Sequence, residues 1–217
     1  MRVVSEKTQS AAAEKIAKSL SKMDGVKASV DERTNGTQNR YIVTVDVDVE
    51  NWRATAESLR NDHEVDYCSM ITGIHWPESE EKTWEIIYHF LRTGVTDPAI
   101  EEGVVVPNIV DFSKVKGKNV PLELQISIIL GETRTPSVAS VQDIWVGADW
   151  NEKETWDLVG IVFEGHKGMR RVLNPHESPA GFHPLQKQHK LRYHDYEEMY
   201  DDAQGFMRKP TDVGKVK

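Results

Sequence analysis

Two stretches with an apolar side chain at every second position most limit how this chain can fold. In the run RYIVTVDVDVE every second residue is apolar, which places on one face Tyr41, Val43, Val45, Val47 and Val49. The run PLELQISIIL repeats the pattern with Leu122, Leu124, Ile126, Ile128 and Leu130. Successive side chains of a strand point to opposite faces of a sheet. Each run is therefore predicted to be a β-strand with one buried face.

The rest of the first half predicts helices and strands around the same sheet. A helix is predicted from Thr8 to Met23, where apolar residues recur at helical spacing, and a second is predicted to begin near Asn51 in NWRATAESLRND. The segments EVDYCSMITGIHW and TWEIIYHFL are predicted as strands, the latter central because it is apolar on both faces. Residues 1–131 are thus predicted to be an α+β domain. Its small mixed, largely antiparallel sheet carries helices on one face.

Three segments are harder to assign. The connection 92–120 is long for a compact domain, and such loops are usually functional or covered by a partner. In residues 132–175 strands are expected to stop, and Ser140 with Asp143 and Asn151 with Glu154 predict two short capped helices. Residues 176–217 have almost no periodicity, which predicts an extended, irregular tail that wraps a partner protein.

Composition excludes several classes of function. The 217 residues carry a net charge of −8, which argues against a nucleic-acid partner. The lone Cys68 excludes an internal disulfide and a cluster or zinc site held by several thiolates of this chain. No stretch approaches the roughly 20 apolar residues of a membrane span. The N-terminus lacks the pattern of a secretory signal, so the chain is predicted to stay in the cytoplasm.

The run from Ser137 to Leu173 is the richest in candidate functional residues. It holds three of the six tryptophans, Trp145, Trp150 and Trp156, and aromatic anchors of this kind dominate protein interfaces. Its charged residues are predicted to form a buried ion-pair network, since buried carboxylates need partners; they are Glu152, Lys153, Glu154, Asp157, Arg170 and Arg171.

Other chemistries are weaker alternatives for this run. Glu154, Asp157 and His166 would be the acid and base residues of a stand-alone enzyme, but no nucleophile or cofactor motif accompanies them. The spacing of the nearby histidines fits no metal motif, so no metal ligand is predicted. Turns are predicted at Gly160, Gly165 and Gly168, because no βαβ unit precedes them.

The same residues carry a resemblance to a known family. The string W-N-E-K-E-T-W-D-L-V-G-I-V-F-E-G-H from Trp150 to His166, followed by Arg170-Arg171-Val172-Leu173, resembles the signature of the 30-kDa subunit of NADH:quinone oxidoreductase, respiratory complex I. The strand Ile86-Ile87-Tyr88-His89-Phe90-Leu91 and the later His183-Pro184-Leu185 are also similar to that family. The resemblance covers most of the chain.

The resemblance implies a cofactor-free scaffold and assembly subunit of an ion-translocating quinone oxidoreductase, peripheral on the cytoplasmic face of the cell membrane. Its partners would be the large quinone-site subunit and the small subunit of the terminal cluster. Iron–sulfur clusters, flavin and quinone would belong to partner subunits, and membrane contact would come only through the complex. The matched residues from Glu152 to Arg171, with His183, Pro184 and Leu185, would lock segments together or reach a neighbour.

Several departures indicate a divergent member of that family. Lys153 stands where the family usually has Arg, which weakens bidentate pairing with a carboxylate. Val159 replaces an aromatic residue, Lys167-Gly168-Met169 replaces Pro-x-Leu, and Gln186-Lys187-Gln188 replaces Arg-Lys-Asp. The alternative is therefore the equivalent subunit of an F420H2- or ferredoxin-dependent complex or of a membrane-bound hydrogenase.

Overall fold

A computed structural model describes residues 4–36, 38–79, 83–95, 99–101, 104–106, 111–112, 114–131 and 135–187. The residues described up to Gln186 belong to one compact unit. Of the tail predicted over 176–217, residues 188–217 lie outside the described residues. The three α-helices of the described chain are α1 (Glu6–Leu20), α2 (Trp52–Asn61) and α3 (Ala148–Val159). The strands are β1 (Val26–Asn35), β2 (Gln38–Val47), β3 (Tyr67–His75), β4 (Trp84–Arg92), β5 (Ala99–Glu101), β6 (Val104–Val106), β7 (Leu122–Gly131), β8 (Ser137–Ala139) and β9 (Val162–Glu164).

The main sheet has five strands in the order β1-β2-β7-β4-β3. Only β2 and β7 pair in parallel, and the other neighbours are antiparallel. The two alternating runs therefore lie side by side near the middle of the sheet, with Val43 opposite Leu124 and Val45 opposite Ile126. All four of these side chains are buried. The predicted mixed, largely antiparallel sheet is confirmed, with β7 at its centre and β4 next to it.

The helices pack their apolar stripes on one face of this sheet, as predicted. Helix α1 starts two residues earlier than expected, where the Ser5 side chain accepts a hydrogen bond from the Thr8 N–H at 3.3 Å. It buries Ala13, Ile16, Ala17 and Leu20. Helix α2 places Trp52 against Tyr88 of β4, with ring centroids 4.4 Å apart. No helix in the described ranges is long and apolar enough to cross a membrane.

The sequence prediction fails in the segment after Gly131. Strands do not stop there, because β8 and β9 pair in parallel as a second small sheet. Ser140 opens a turn in place of a capped helix, and α3 begins at Ala148, before the predicted cap at Asn151. Strands of three residues show no periodicity, and pairing across more than 20 residues cannot be recognised locally. Strands β5 and β6 likewise form a hairpin within the long connection 92–120.

Candidate functional site

Helix α3 buries charged residues where a helix of this kind usually buries apolar ones. Its inward positions include Glu152, Lys153, Thr155 and Asp157, all less than a tenth exposed. The helix lies close against β3, where the Thr155 hydroxyl donates to the Ile71 carbonyl at 3.0 Å. Gly73 permits this approach, since a Cβ there would stand 2.9 Å from the side chains of Thr155 and Ile161. The buried polar groups of α3 must therefore find partners inside the domain.

Asp157 is the most heavily hydrogen-bonded of these groups. Its side chain is fully buried, and Oδ1 accepts from the Arg171 guanidinium at 2.7 Å and from the Asn174 amide at 3.0 Å. Oδ2 accepts from the backbone N–H groups of Val172, Leu173 and Asn174 at 2.9–3.0 Å. Burial alone would raise the pKa of this carboxyl, but the bonds from Asn174, Leu173 and Arg171 hold the pKa well below its ordinary value. The lowered pKa keeps Asp157 ionised except in strong acid, and its hydrogen bonds hold residues 171–174 against the end of α3.

The segment 171–186, called the clamp here, is bound to the end of α3 by further contacts. Arg171 also donates to the carbonyls of Phe182 and Pro179, at 3.0 and 3.1 Å. A ring nitrogen of His183 lies 3.1 Å from the Asp157 carbonyl, and the Leu185 N–H donates to the Leu158 carbonyl at 2.9 Å. Pro184 lies between these two attachments and is half-buried. Every one of these bonds ties the clamp to the last turn of α3 or to itself.

A glycine makes room for the clamp at the end of α3. Gly160 ends the helix in the left-handed region, with φ at +89°. A Cβ at this position would stand 2.7 Å from atoms of both His183 and Gln186. Gln186 itself is buried and donates to the Val159 carbonyl at 2.7 Å, one of the carbonyls that the helix end leaves free. Gly165 and Gly168 also have positive φ values, +82° and +86°, which confirms the predicted turns.

Glu152 lies in a second buried cluster and has no cationic hydrogen-bond partner within the described ranges. It accepts from the Ser140 hydroxyl at 2.6 Å and the Val141 N–H at 2.8 Å. Burial raises the pKa of the Glu152 carboxyl to about 7, although these two bonds oppose the shift. The Nε2 atom of His166 lies 3.2 Å from Asp149 and 3.9 Å from Glu152. The other ring nitrogen, Nδ1, is buried and has no hydrogen bond to the described residues.

The expected ion pairing is found between Asp157 and Arg171, and the other charges are arranged differently. Lys153 pairs with Asp149 one turn earlier, at 2.7 Å. Arg170 is exposed and makes no hydrogen bond or ion pair with the described part of the chain. Glu154 accepts from the Trp150 indole at 2.7 Å. The pattern of charges alone did not distinguish Arg170 from Arg171, and it offered no indication of Ser140, Asn174 or Gln186.

The three tryptophans of this region occupy different environments. Trp145 is buried against Phe90, with centroids 4.4 Å apart, and donates to the Val65 carbonyl at 2.8 Å. Trp150 is half exposed. The Arg171 guanidinium carbon lies over Trp156, 5.7 Å from the centre of the indole ring, and the His183 ring meets Trp156 edge-on. Trp145 thus packs inside the domain, Trp156 supports the clamp, and Trp150 is the one left at the surface.

The acid and base residues of the enzyme alternative are not assembled into one site. Within the described chain no hydrogen bond or ion pair joins any two of Glu154, Asp157 and His166. Asp157 is saturated by donors, which leaves no lone pair for a substrate proton. The described residues also contain no group of three or more His, Cys, Asp or Glu side chains that could hold a metal ion. His189 and His194 lie outside them.

Comparison with known families and proteins agrees with the resemblance seen in the sequence. Residues 45–195 match the family described as "Respiratory-chain NADH dehydrogenase, 30 Kd subunit". A subunit of the NADH-quinone oxidoreductase of Xylella fastidiosa strain M12 is 29% identical over 188 residues, covering 73% of this chain and 72% of that protein. The same subunit from Chloroherpeton thalassium is 30% identical over 156 residues, covering 70% and 52%.

The fold also recurs in a solved structure. A chain of the membrane-bound sulfane sulfur reductase, an archaeal respiratory membrane complex, superposes with a TM-score of 0.52 at 17% identity, covering 90% of this chain and 93% of its own. At that identity the likeness shows the fold alone. The family match spans most of the chain and includes α3 and the clamp. The chain therefore belongs to the family of the 30-kDa subunit of respiratory-chain NADH dehydrogenase.

Proposed function

We propose that this chain is a cofactor-free scaffold and assembly subunit of the peripheral arm of a complex I-type, ion-translocating NADH:quinone oxidoreductase. It docks on the large quinone-site subunit and on the small subunit of the terminal cluster. It is peripheral on the cytoplasmic face of the membrane and touches the membrane only through the complex. Family membership supports the assignment to this type of complex, because the relatives are named as subunits of NADH-quinone oxidoreductase.

One observation above others supports a docking role: apolar side chains are exposed at both ends of α3. Val146 and Trp150, four residues apart, are 90% and 51% exposed at its beginning. Leu173 and Leu185 are 56% and 54% exposed at its end. The backbone N–H groups of both leucines are bonded to the last turn of α3, so the backbone that carries these side chains is held in place before any partner arrives. Anchors held in this way lose less entropy on binding.

The state of Cys68 supports the assignment of all clusters to partner subunits. It is the only cysteine of the chain and is 3% exposed beneath the helices. Burial, with a smaller contribution from Glu152, raises the pKa of its thiol to about 12. Metal ligation by cysteine requires the thiolate. In the proposed role electrons pass through neighbouring subunits, and this chain holds those subunits in position.

The docking surface is tested with a charge placed at one end of it. Leu185→Asp buries a carboxylate in the proposed interface and is expected to weaken assembly by about tenfold or more. Ile129→Asp is the matched control, since Ile129 is 48% exposed on the sheet face away from the helices. Tagged full-length variants are expressed in the source cells, and the fraction that migrates with the large complex is read from native gels. Turnover per assembled complex should be unchanged.

Two results would contradict the proposal. Normal assembly of Leu185→Asp with loss of turnover would indicate a catalytic role, and an equal loss of assembly in Ile129→Asp would place the interface elsewhere. The subunits that co-purify with the unaltered chain identify the type of complex to which it belongs. A flavin-bearing NADH module supports the leading proposal, whereas an F420H2 module, a ferredoxin-linked module or a nickel-bearing subunit indicates the alternative complexes.

A further inference from the structure

One cavity of the domain has no residue of α3 or the clamp in its lining and is not explained by docking through that surface. It has a volume of about 720 Å³ and is lined by α1, by the residues that follow α2, and by the segment that leads into β7. Pockets of this size commonly hold a small molecule. Its cationic side chains come from three separate parts of the chain and are Lys7, Lys15, Arg92, Lys116 and Lys118.

The charge of this cavity is opposite to that of the chain as a whole. The chain carries a net charge of −8, yet Asp62 is the only carboxylate among the described residues that line the cavity. Asp62 accepts a hydrogen bond from Ser58, and Lys118 has an exposed partner in Glu64 at 3.2 Å. Lys7, Lys15 and Lys116 have no ion pair within the described chain. A concave surface with such an excess of positive charge attracts anions.

Arg92 is the buried centre of this charge. The residue is 4% exposed, and its guanidinium donates only to backbone carbonyls, those of Val120 at 2.9 Å, His63 at 3.4 Å and Gly117 at 3.5 Å. Burial lowers the pKa of this guanidinium, although Glu64 and Asp66 act in the opposite direction. Buried cations are normally paired with an anion. Arg92 has five N–H donors, so it keeps donors for one.

In the same wall, His63 supplies a buried polar atom without a hydrogen-bond partner among the described residues. Its Nε2 atom is buried and has no hydrogen-bond partner in the described chain. Buried polar atoms of native proteins are nearly always bonded to protein, water or ligand. The imidazole nitrogen of His63, which is a donor in its Nε2–H tautomer, and the guanidinium of Arg92, which has N–H groups beyond its three carbonyl partners, both fit an acceptor supplied from outside the chain.

The remaining wall decides what kind of anion would fit. Helix α1 contributes Ala11 and Ala12 between its two lysines and Ile16 after them, and Val120 lines the cavity just before β7. The described lining contains no Phe, Tyr or Trp ring, and the one ring present, His63, is assigned to the phosphate. An aliphatic body is therefore favoured over a planar one, and the number of cations favours a doubly charged head.

We propose that this cavity binds a phosphomonoester that carries an aliphatic chain. The phosphate lies at Arg92 and His63 with the lysines around it, and the chain lies along α1. The ligand is either a soluble alkyl phosphate or the head group of an acidic lipid, which share this chemistry. The site is independent of the docking surface, so failure of either proposal leaves the other standing.

Calorimetry of the full chain with n-octyl phosphate, below the concentration at which it forms micelles, tests the site. Saturable binding is expected, and Lys15→Glu with Lys116→Glu should weaken it by about tenfold or more, because both charges are reversed at the cavity. Lys18→Glu with Lys22→Glu is the matched control; both lysines are exposed near the end of α1 and do not line the cavity. An equal loss in the control pair would overturn the proposal.

Three further experiments test the aliphatic body of the ligand, its phosphate head and its source. Ala11→Phe fills the cavity without changing a charge, and it should also weaken binding about tenfold. Octanol or inorganic phosphate binding as tightly as octyl phosphate would refute an amphipathic anion. Co-flotation with phosphatidate vesicles identifies a lipid source, whereas binding of octyl phosphate without co-flotation identifies a soluble one. Both results support the site, and co-flotation would in addition overturn the proposal that the chain meets the membrane only through the complex.

Discussion

Replacing Asp157 by alanine should release the clamp without unfolding the sheet. The change leaves the Arg171 guanidinium and three backbone N–H groups without their acceptor in a site where the carboxylate was fully buried. Removing one partner of a buried charged pair costs about 3–5 kcal/mol. At 1.4 kcal/mol per factor of ten, the clamp should open about 10²- to 10⁴-fold more often.

Hydrogen exchange at the amides of Val172, Leu173 and Asn174 measures this opening, because these three groups donate directly to Asp157. Exchange should accelerate by that factor at these amides, while amides of β7 stay protected. Asp157→Asn should act in the same direction, since both oxygens face donors and an amide nitrogen in place of either meets another donor.

The control is an ion pair of similar geometry on the surface. Asp143 accepts from two nitrogens of Arg53 at 2.6–2.7 Å, but its side chain is 54% exposed. Exposed ion pairs contribute about 0–1 kcal/mol to stability. Asp143→Asn should therefore change the hydrogen exchange of the amides next to it less than about fivefold. Unchanged exchange in Asp157→Ala, or an equal effect of Asp143→Asn, would refute the idea that burial gives Asp157 its strength.

Acid should release the clamp in the same way. The pKa of Asp157 is lower in the folded chain than the ordinary 3.8, so its stabilisation is complete above that value and is lost as pH falls through the folded pKa. Clamp amides should therefore remain protected at pH 5 and lose protection at strongly acidic pH. Loss of protection between pH 7 and pH 5 would contradict this.

Two further predictions concern neighbouring residues. The folded pKa of Glu152 is raised from 4.5 to about 7, so the contribution of Glu152 to stability should be full below pH 4.5 and fall by up to about 3 kcal/mol as pH rises through 7. In urea unfolding at pH 5 and pH 8, Glu152→Gln should remove that part of the fall in stability, and an identical pH dependence in the variant and the wild type would contradict it. Gly160→Ala should cost about 1–2 kcal/mol of backbone strain plus displacement of His183 and Gln186, whereas Gly165→Ala, with nothing within 4 Å of the new Cβ, should cost the strain alone. Equal melting temperatures for the two variants would contradict the steric part.

The sheet could be predicted from the sequence because its strands are long enough to show a period. Alternation alone assigns Val43, Val45 and Leu124 to Ile128 to the buried face, and apolar stripes predict the helices α1 and α2. The apolar alternation fails only at its ends, where Val49 lies in a short helical turn after β2 and is 37% exposed. Family membership is likewise readable from one string of residues.

The candidate site was only partly predictable. Charge pattern indicates that Asp157 needs a cation, yet Arg170 and Arg171 are adjacent and only the fold turns Arg171 inward. Glu152 was expected to join the same network, but it is bonded to Ser140 and Val141, more than ten residues earlier in the chain. Burial raises the pKa of Glu152, and the hydrogen bonds from these two neutral partners oppose that shift without cancelling it.

The α+β class, the buried faces of the long elements and the family can all be read from the amino-acid sequence, since each is expressed in residues close together along the chain. Tertiary structure alone decided the pairing of β8 with β9, the clamp around Asp157 and the cationic cavity at Arg92. These features join residues from distant parts of the chain. Burial, and the partner that each buried charge finds, exist only after folding has brought those residues together.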